Sequence, residues 1–567
     1  MAQVTEPDQP LGAVRTAGRH TKQSSQAVVG DGGMTGIDRL ARNGLMGLLG
    51  AAVSAVVNLA LVLMVVHAAG KTTAGVVFAV TSLFLIAVTV SRLGSPTGLV
   101  YFLVRARSHG SVGSMRRILR TGVVPVICAA LLLSAVLFVT APGLASWIAP
   151  AKANEAVGPI RILALIVPLA AISDTLLQAS RGFNTMRPLV FVERIGRPIG
   201  QVVLTVIAIA VGSRAASAFT AAWVLPYVIT AGVAVWWTRH LLRGAERRSV
   251  NSDGSDGSVP ATTAATTTRR EYWTFTAPRG LQSVVQIALQ RLDVVLVSAI
   301  LGPREAAVYA AVTRFLVFGQ LGAQAITSAV QPQLGSLLFA GDRRGAGHVY
   351  QVSTCWLVLL TWPVYLSLGV FSKQIPSFFG KGYDAGTAVL LVLACAMLVA
   401  TGAGLVDVAL AMAGRTTWTL ANSTLALVVD VSLNLILLPR IGIMGAAIAW
   451  AAAIVCNNVL PVTQLAVSMK LHPFGRGTLL AMASALAWLG ALPALAGLAL
   501  SYTAPVLVAA MAVGAVGYVG TAWRMREVFD LDALLRAGRR GGGRRGEAGH
   551  ETMDEGRTQP GENESWT

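Results

Sequence analysis

Runs of about 20 apolar residues recur along this chain from residue 44 to residue 524, and that is the length an α-helix needs to cross a hydrocarbon layer about 30 Å thick. In lipid, every backbone N–H and C=O must be satisfied within the segment, so such runs are confined to transmembrane helices. They fall at 44–67, 74–95, 122–145, 158–178, 189–212, 216–238, 275–300, 306–330, 351–372, 386–410, 417–439, 443–468, 478–500 and 503–523, about fourteen spans on the length criterion. Composition agrees. The 567 residues are 54% hydrophobic and 13% charged, where a soluble domain is about a quarter charged. The expected fold class is an all-α polytopic membrane protein.

Charge placement gives the expected orientation. A net charge of +19 in a soluble protein would suggest nucleic acid, but here the Lys and Arg residues gather in alternate loops. With both termini inside, the inner loops and tails hold 31 of them and the outer loops 8; without the tails the ratio is 18 to 8. That is the positive-inside pattern. No nucleic-acid partner is expected. The expected location is the plasma (inner) membrane, multi-pass, with both termini cytoplasmic.

Cys128, Cys355, Cys395 and Cys456 lie in separate apolar runs, and the chain has no CxxC, no HExxH and no GxxxxGK[ST]. No cofactor, metal site or ATP site is expected. The outer loops are short and carry neither paired carboxylates nor a Ser/His set, so an enzyme such as a membrane glycan polymerase or ligase is the least favoured class.

The chain also repeats. At a constant offset of 232 residues Gly70 meets Gly302, Ala74 meets Ala306, Ala79-Val80-Thr81 meets Ala311-Val312-Thr313, and Gly182 meets Gly414. Six spans separate equivalent points, so the repeat is parallel, and transporters place substrate sites at such repeat interfaces. The expected organisation is a cytoplasmic N-terminal tail (1–42), a six-helix bundle (43–238), a disordered cytoplasmic linker rich in Ser, Thr, Gly and Asp (239–274) and a second six-helix bundle (275–470). Two additional helices (471–524) and a disordered cytoplasmic C-terminal tail (525–567) complete it.

The segment RLDVVLVSAILGPREAAVYAAVTRF, with Asp293, Gly302, Glu305 and Tyr309 in step, and SRLGSPTGLVYFLVRA at the end of the second span resemble the polysaccharide (oligosaccharide) flippases. These belong to the multidrug/oligosaccharidyl-lipid/polysaccharide exporter superfamily. The resemblance implies two bundles around a cavity that opens to either side in turn. The implied cargo is a glycan linked to a polyprenyl diphosphate, moved from the inner to the outer leaflet for surface polysaccharide synthesis. The implied partners are this lipid-linked glycan, the phospholipid bilayer and the glycosyltransferases or polymerase of the same pathway. Two readings of the same superfamily stay open: a cation- or proton-coupled small-molecule (multidrug) exporter and a peptidoglycan-precursor lipid flippase. The first span carries Asn58 and no carboxylate, unlike small-molecule exporters of that kind.

Charged residues in the hydrocarbon region should face a wet cavity or the bundle interior. On a helical wheel Arg279, Gln282, Gln286, Gln290 and Asp293 fall within about 80° and Arg291 about 100° away. This stripe, with Gln320, Gln324 and Gln331 in the eighth span, is expected to line a cavity whose amides suit sugar hydroxyls. Arg92, Arg194, Arg197, Arg291 and Arg314 are the candidate diphosphate ligands, because a guanidinium fork matches phosphate oxygens. Glu193 and Arg197, at i and i+4, are expected to pair. Asp174, Asp293, Asp407 and Asp430 are the candidates for coupling to a proton or another ion.

Overall fold

The computed structural model describes residues 33–108, 112–252 and 268–531, and all regular structure among them is helical. Among the described residues, twelve helices are long and apolar enough to cross a membrane. A thirteenth forms if Pro303–Thr313 and Leu316–Phe339, which meet at a 40° bend, count as one. The expected fourteen is not reached on these criteria. The shortfall lies in the fifth segment, where a π-helix, Leu189–Gly196, runs into the α-helix Arg197–Ala210 and neither piece has span length. Wide π-turns commonly mark functional positions in helices, and this one ends at Arg197.

Burial separates central helices from peripheral ones. The most apolar window of Lys71–Arg107 is 72% buried, whereas those of Gly113–Val139 and Ala504–Arg524 are 22% and 17% buried. The peripheral helices expose large apolar side chains such as Leu132, Val139, Val516 and Val519, which is stable only against lipid.

One compact unit, Met46–Asp532, holds all the contacts described below. Residues 1–45 and 533–567 group separately, and of these only the first turns of helix Gly33–Ala69 are described. Within the expected linker, residues up to 252 continue helix Pro226–Ser252 and residues from 269 open helix Arg269–Leu301. Positions 253–267, like the tails 1–32 and 532–567, lie outside the described residues.

The internal repeat is visible in backbone geometry. Gly70 (φ 79, ψ 166) precedes helix Lys71–Ser91, and its equivalent Gly302 (φ 100, ψ 164) precedes helix Pro303–Thr313. Both occupy the positive-φ region that glycine enters without penalty. The two helices they launch pack together so closely that a Cβ at Gly75 would lie 1.6 Å from the carbonyl oxygen of Pro303. The first and second halves of the chain therefore meet along backbone.

Candidate functional site

A polar cavity of about 210 Å³ lies between the halves. The first half contributes Ser54, Asn58 and Thr81 from its first two spans, and Arg197, Gln201, Trp223 and Tyr227 from its fifth and sixth; the second half contributes Arg291 and Arg314. On helix Arg269–Leu301, Arg291 stands eleven residues from Gly280 and eleven from Gly302, about 16 Å of helical rise in each direction. Both flanking glycines sit near close contacts between the halves. The cavity therefore lies beside the middle of the helix.

Three arginines enter it, in two electrostatic conditions. Arg197 is engaged. It donates to Asp174 Oδ1 at 3.0 Å, approaches Glu193 at 4.0 Å and lies over the Tyr227 ring at 4.6 Å. Arg92 approaches the same Asp174 at 3.5 Å. Arg291 and Arg314 are different. The Nε of each is buried without a hydrogen-bond partner, and neither has a carboxylate at ion-pair distance among the described residues. They are near enough to feel each other's charge. A buried donor left unsatisfied costs about 1–3 kcal/mol. Two of them converge on one polar cavity, an arrangement that can accept an anion.

This divides the expected diphosphate ligands. Arg291 and Arg314 share the cavity. Arg197 lines it with its charge already met by Asp174. Arg92 is drawn to Asp174, and Arg194 is likewise engaged by neighbours. Asp174, an expected coupling residue, is held by two arginines, Arg92 and Arg197. The pairing of Glu193 with Arg197 is present but long, because Asp174 competes for the guanidinium.

The glutamine stripe does not line this cavity. Gln286, Gln290, Gln324 and Gln331 are exposed and Gln320 is half-buried. Gln282 donates to Ser423 at 3.2 Å. Arg279 donates to the Phe275 carbonyl at 2.7 Å with its guanidinium 3.6 Å from the Phe275 ring centroid. Arg291, placed off the stripe by the wheel, is the residue of this helix that enters the cavity. Asp293 turns the other way, into the second half.

There Asp293 meets Asp430. Tyr309 donates to Asp293 Oδ2 at 2.8 Å. Asn434 reaches Asp293 Oδ1 and Asp430 Oδ1, each at 3.1 Å. All four residues are at most 3% exposed, and Asp430 Oδ2 has no hydrogen-bond partner among the described residues. Two buried carboxylates bridged by one amide, with a phenol donating to one of them, can take up a bound positive charge, a proton or a small cation. Asp407 lies apart from them, with Oδ1 buried and unpartnered. Asn58, Gln201 and Trp223 were missed by sequence reasoning. Gln201 stands one helical turn beyond Arg197, a spacing that could have revealed it; Trp223 carries no such signal.

Fold and site together define a helical membrane transporter fold, two halves of one chain around a polar cavity. The chain belongs to the polysaccharide biosynthesis protein family, whose model matches residues 40–338, just over half of it. The MatE family model matches residues 278–436. Over 170 residues the chain is 25% identical to the "Probable low-salt glycan biosynthesis flippase Agl15" of Haloferax volcanii, a match covering 30% of this chain and 36% of that protein. The chain thus spans about a third of the length of this relative. Solved structures share the fold. The lipid II flippase MurJ in an inward closed conformation superposes with a TM-score of 0.66 at 14% identity, covering 85% of this chain and 99% of that one. An inward-facing multidrug resistance MATE family transporter of the MOP superfamily gives 0.60 at 12% identity, covering 74% and 94%. A MOP superfamily transporter from Pyrococcus furiosus gives 0.51 at 14%, covering 79% and 96%.

Proposed function

We propose that the protein is a flippase for an oligosaccharide carried on a polyprenyl diphosphate, acting in cell-surface polysaccharide synthesis. The cargo crosses from the cytoplasmic to the outer leaflet of the plasma membrane as the two bundles, 43–238 and 275–470, expose the cavity to each side in turn. Both termini are cytoplasmic in this reading, as the loop charges require. The observation that carries it is the pair Arg291 and Arg314, which line one cavity with buried, unsatisfied Nε atoms and no carboxylate at ion-pair distance among the described residues. A diphosphate supplies the missing acceptors in bidentate geometry, Gln201 and Asn58 offer amides to sugar hydroxyls, and the lipid tail stays in the bilayer. Family membership and the glycan flippase relative support the cargo class. Moving negative charge outward is favourable when the cell interior is negative, by about 2.3 kcal/mol per charge per 100 mV. The Asp293–Asp430 pair is proposed as the place where a proton or cation couples to the cycle.

A second reading, export of small molecules with a coupled cation, is favoured by the MatE match alone. It predicts a cavity attractive to cations, which two uncompensated arginines oppose. The test is surface glycan display in cells carrying Arg291→Ala or Asp293→Ala with insertion checked by membrane fractionation. Loss of display supports the glycan reading, and normal display in both variants refutes it.

A further inference from the structure

The last two spans, Arg476–Ala499 and Ala504–Arg524, pack on the second half unevenly. At one end the Trp356 indole donates to the Phe529 carbonyl at 2.9 Å, Phe529 is 1% exposed, and Tyr518 donates to the Leu359 carbonyl at 3.1 Å. Midway, a Cβ at Gly514 would come 2.2 Å from the Trp488 carbonyl oxygen, so the two spans touch along backbone. The first of them then passes through a π-turn, Leu486–Ala491, and Pro493, two features at which helices bend. Beyond them lies a groove of about 300 Å³ between these spans and the second half.

The groove is apolar along its length and polar at one end. Gly369, Leu391, Cys395, Leu398 and Leu507 line it, together with Lys373, Gln374 and Tyr502. The last three lie in short connections that the loop charges place outside. The Lys373 ammonium sits 5.2 Å from the centroid of the Tyr502 ring and has no carboxylate at ion-pair distance among the described residues. Gln374 Oε1 is buried with no hydrogen-bond partner among the described residues. The groove thus offers hydrocarbon surface, an unbalanced cation and a buried acceptor in need of a donor.

We propose that this groove binds one phosphatidylglycerol molecule of the outer leaflet, with an acyl chain along Gly369, Leu391, Cys395 and Leu507, the phosphate on Lys373 and a headgroup hydroxyl donating to Gln374. Leu391 and Tyr502 are exposed, so the groove is open to the bilayer. The net negative charge of this lipid answers Lys373, and its glycerol supplies the O–H donors that a choline headgroup lacks. A chain seated there braces the last two spans against the second half where the groove separates them. The assignment rests on neither the cavity between the halves nor the cargo.

The test uses the full-length protein, purified and stripped of lipid in detergent, with phosphatidylglycerol, phosphatidylcholine and a polyprenyl phosphate as probes. Native mass spectrometry counts the lipids bound per protein. One tightly held phosphatidylglycerol is expected, bound at least about ten-fold more tightly than phosphatidylcholine, with the affinity falling about ten-fold in Lys373→Glu. Gly369→Leu fills the groove and should lose the lipid as well. Location is read at Cys395, an exposed residue of the groove, in protein whose other three cysteines are serine. Phosphatidylglycerol should slow its modification by a maleimide and leave that of Cys128, exposed in the first half, unchanged in the matching single-cysteine protein. Equal affinity for phosphatidylcholine, preference for the polyprenyl phosphate, undiminished affinity in Lys373→Glu or an unprotected Cys395 overturns the assignment. If Gly369→Leu fails to fold, the exposed Lys373 and Cys395 decide. No transfer is measured, so a negative result removes the lipid site and leaves the proposed function standing.

Discussion

Arg291 and Asp293 stand two positions apart on one helix and serve different compartments. The arginine enters the cavity between the halves, while the aspartate accepts hydrogen bonds from Tyr309 and Asn434 inside the second half. Arg314 and Tyr309 repeat the division, one in the cavity and one on the aspartate. The two cavity arginines and the two partners Asp293 and Tyr309 thus come from the same two stretches of chain, so a shift of either stretch moves both the cavity lining and the surroundings of Asp293.

Removing Arg291 or Arg314 should abolish cargo transfer without unfolding the protein, because neither anchors a carboxylate. Arg291→Lys should recover only part of the activity, since a lysine lacks the planar fork. Arg197→Ala should behave differently. It strips Asp174 of its closest partner and should lower stability by about 1–3 kcal/mol, read as a reduced Tm in detergent. Equal Tm losses in Arg197→Ala and Arg291→Ala would contradict the distinction.

Asp293→Asn and Asp430→Asn retain the shape of the buried cluster and remove its charge. Each variant should insert normally and lose the dependence of transfer on an imposed ion gradient, measured in vesicles with and without ionophore. Undiminished gradient dependence in both would remove the acid pair from coupling.

Tyr309→Phe deletes the phenol that satisfies Asp293 and leaves a buried oxygen short of a donor. The expected cost is about 1–3 kcal/mol of stability, again as a shift in Tm. An unchanged Tm would show that the hydrogen bond contributes nothing net.

The repeat makes a paired prediction. Gly70→Ala and Gly302→Ala both place a Cβ on a positive-φ residue with no atom within 4 Å to obstruct it. Each should therefore cost about 1–3 kcal/mol through backbone strain alone, and the two costs should match. Thermal unfolding of both variants checks this.

Much of the fold was legible in the sequence because the bilayer imposes a length on every span, and the constant 232-residue offset that pairs Gly70 with Gly302 signalled a duplication whose two glycines share a positive φ in the structure. The fifth segment is continuous helix, as its apolar run suggests, but nothing in that pattern announces the π-turn that meets the α-helix at Arg197. The site was harder to read. A helical wheel orders residues around one axis but does not say which neighbour each face meets, so the glutamine row was assigned to the cavity that Arg291 enters. Asp293 and Asp430 lie 137 positions apart in sequence, and nothing local joins them.

The most direct measurement reconstitutes the purified protein in liposomes with a fluorescent polyprenyl-diphosphate oligosaccharide and follows its exposure to a membrane-impermeant quencher. Transfer between leaflets by the parent, reduced to the protein-free rate in the Arg291→Ala/Arg314→Ala double variant, is the expected result. Transfer by the double variant at the parental rate would contradict the account.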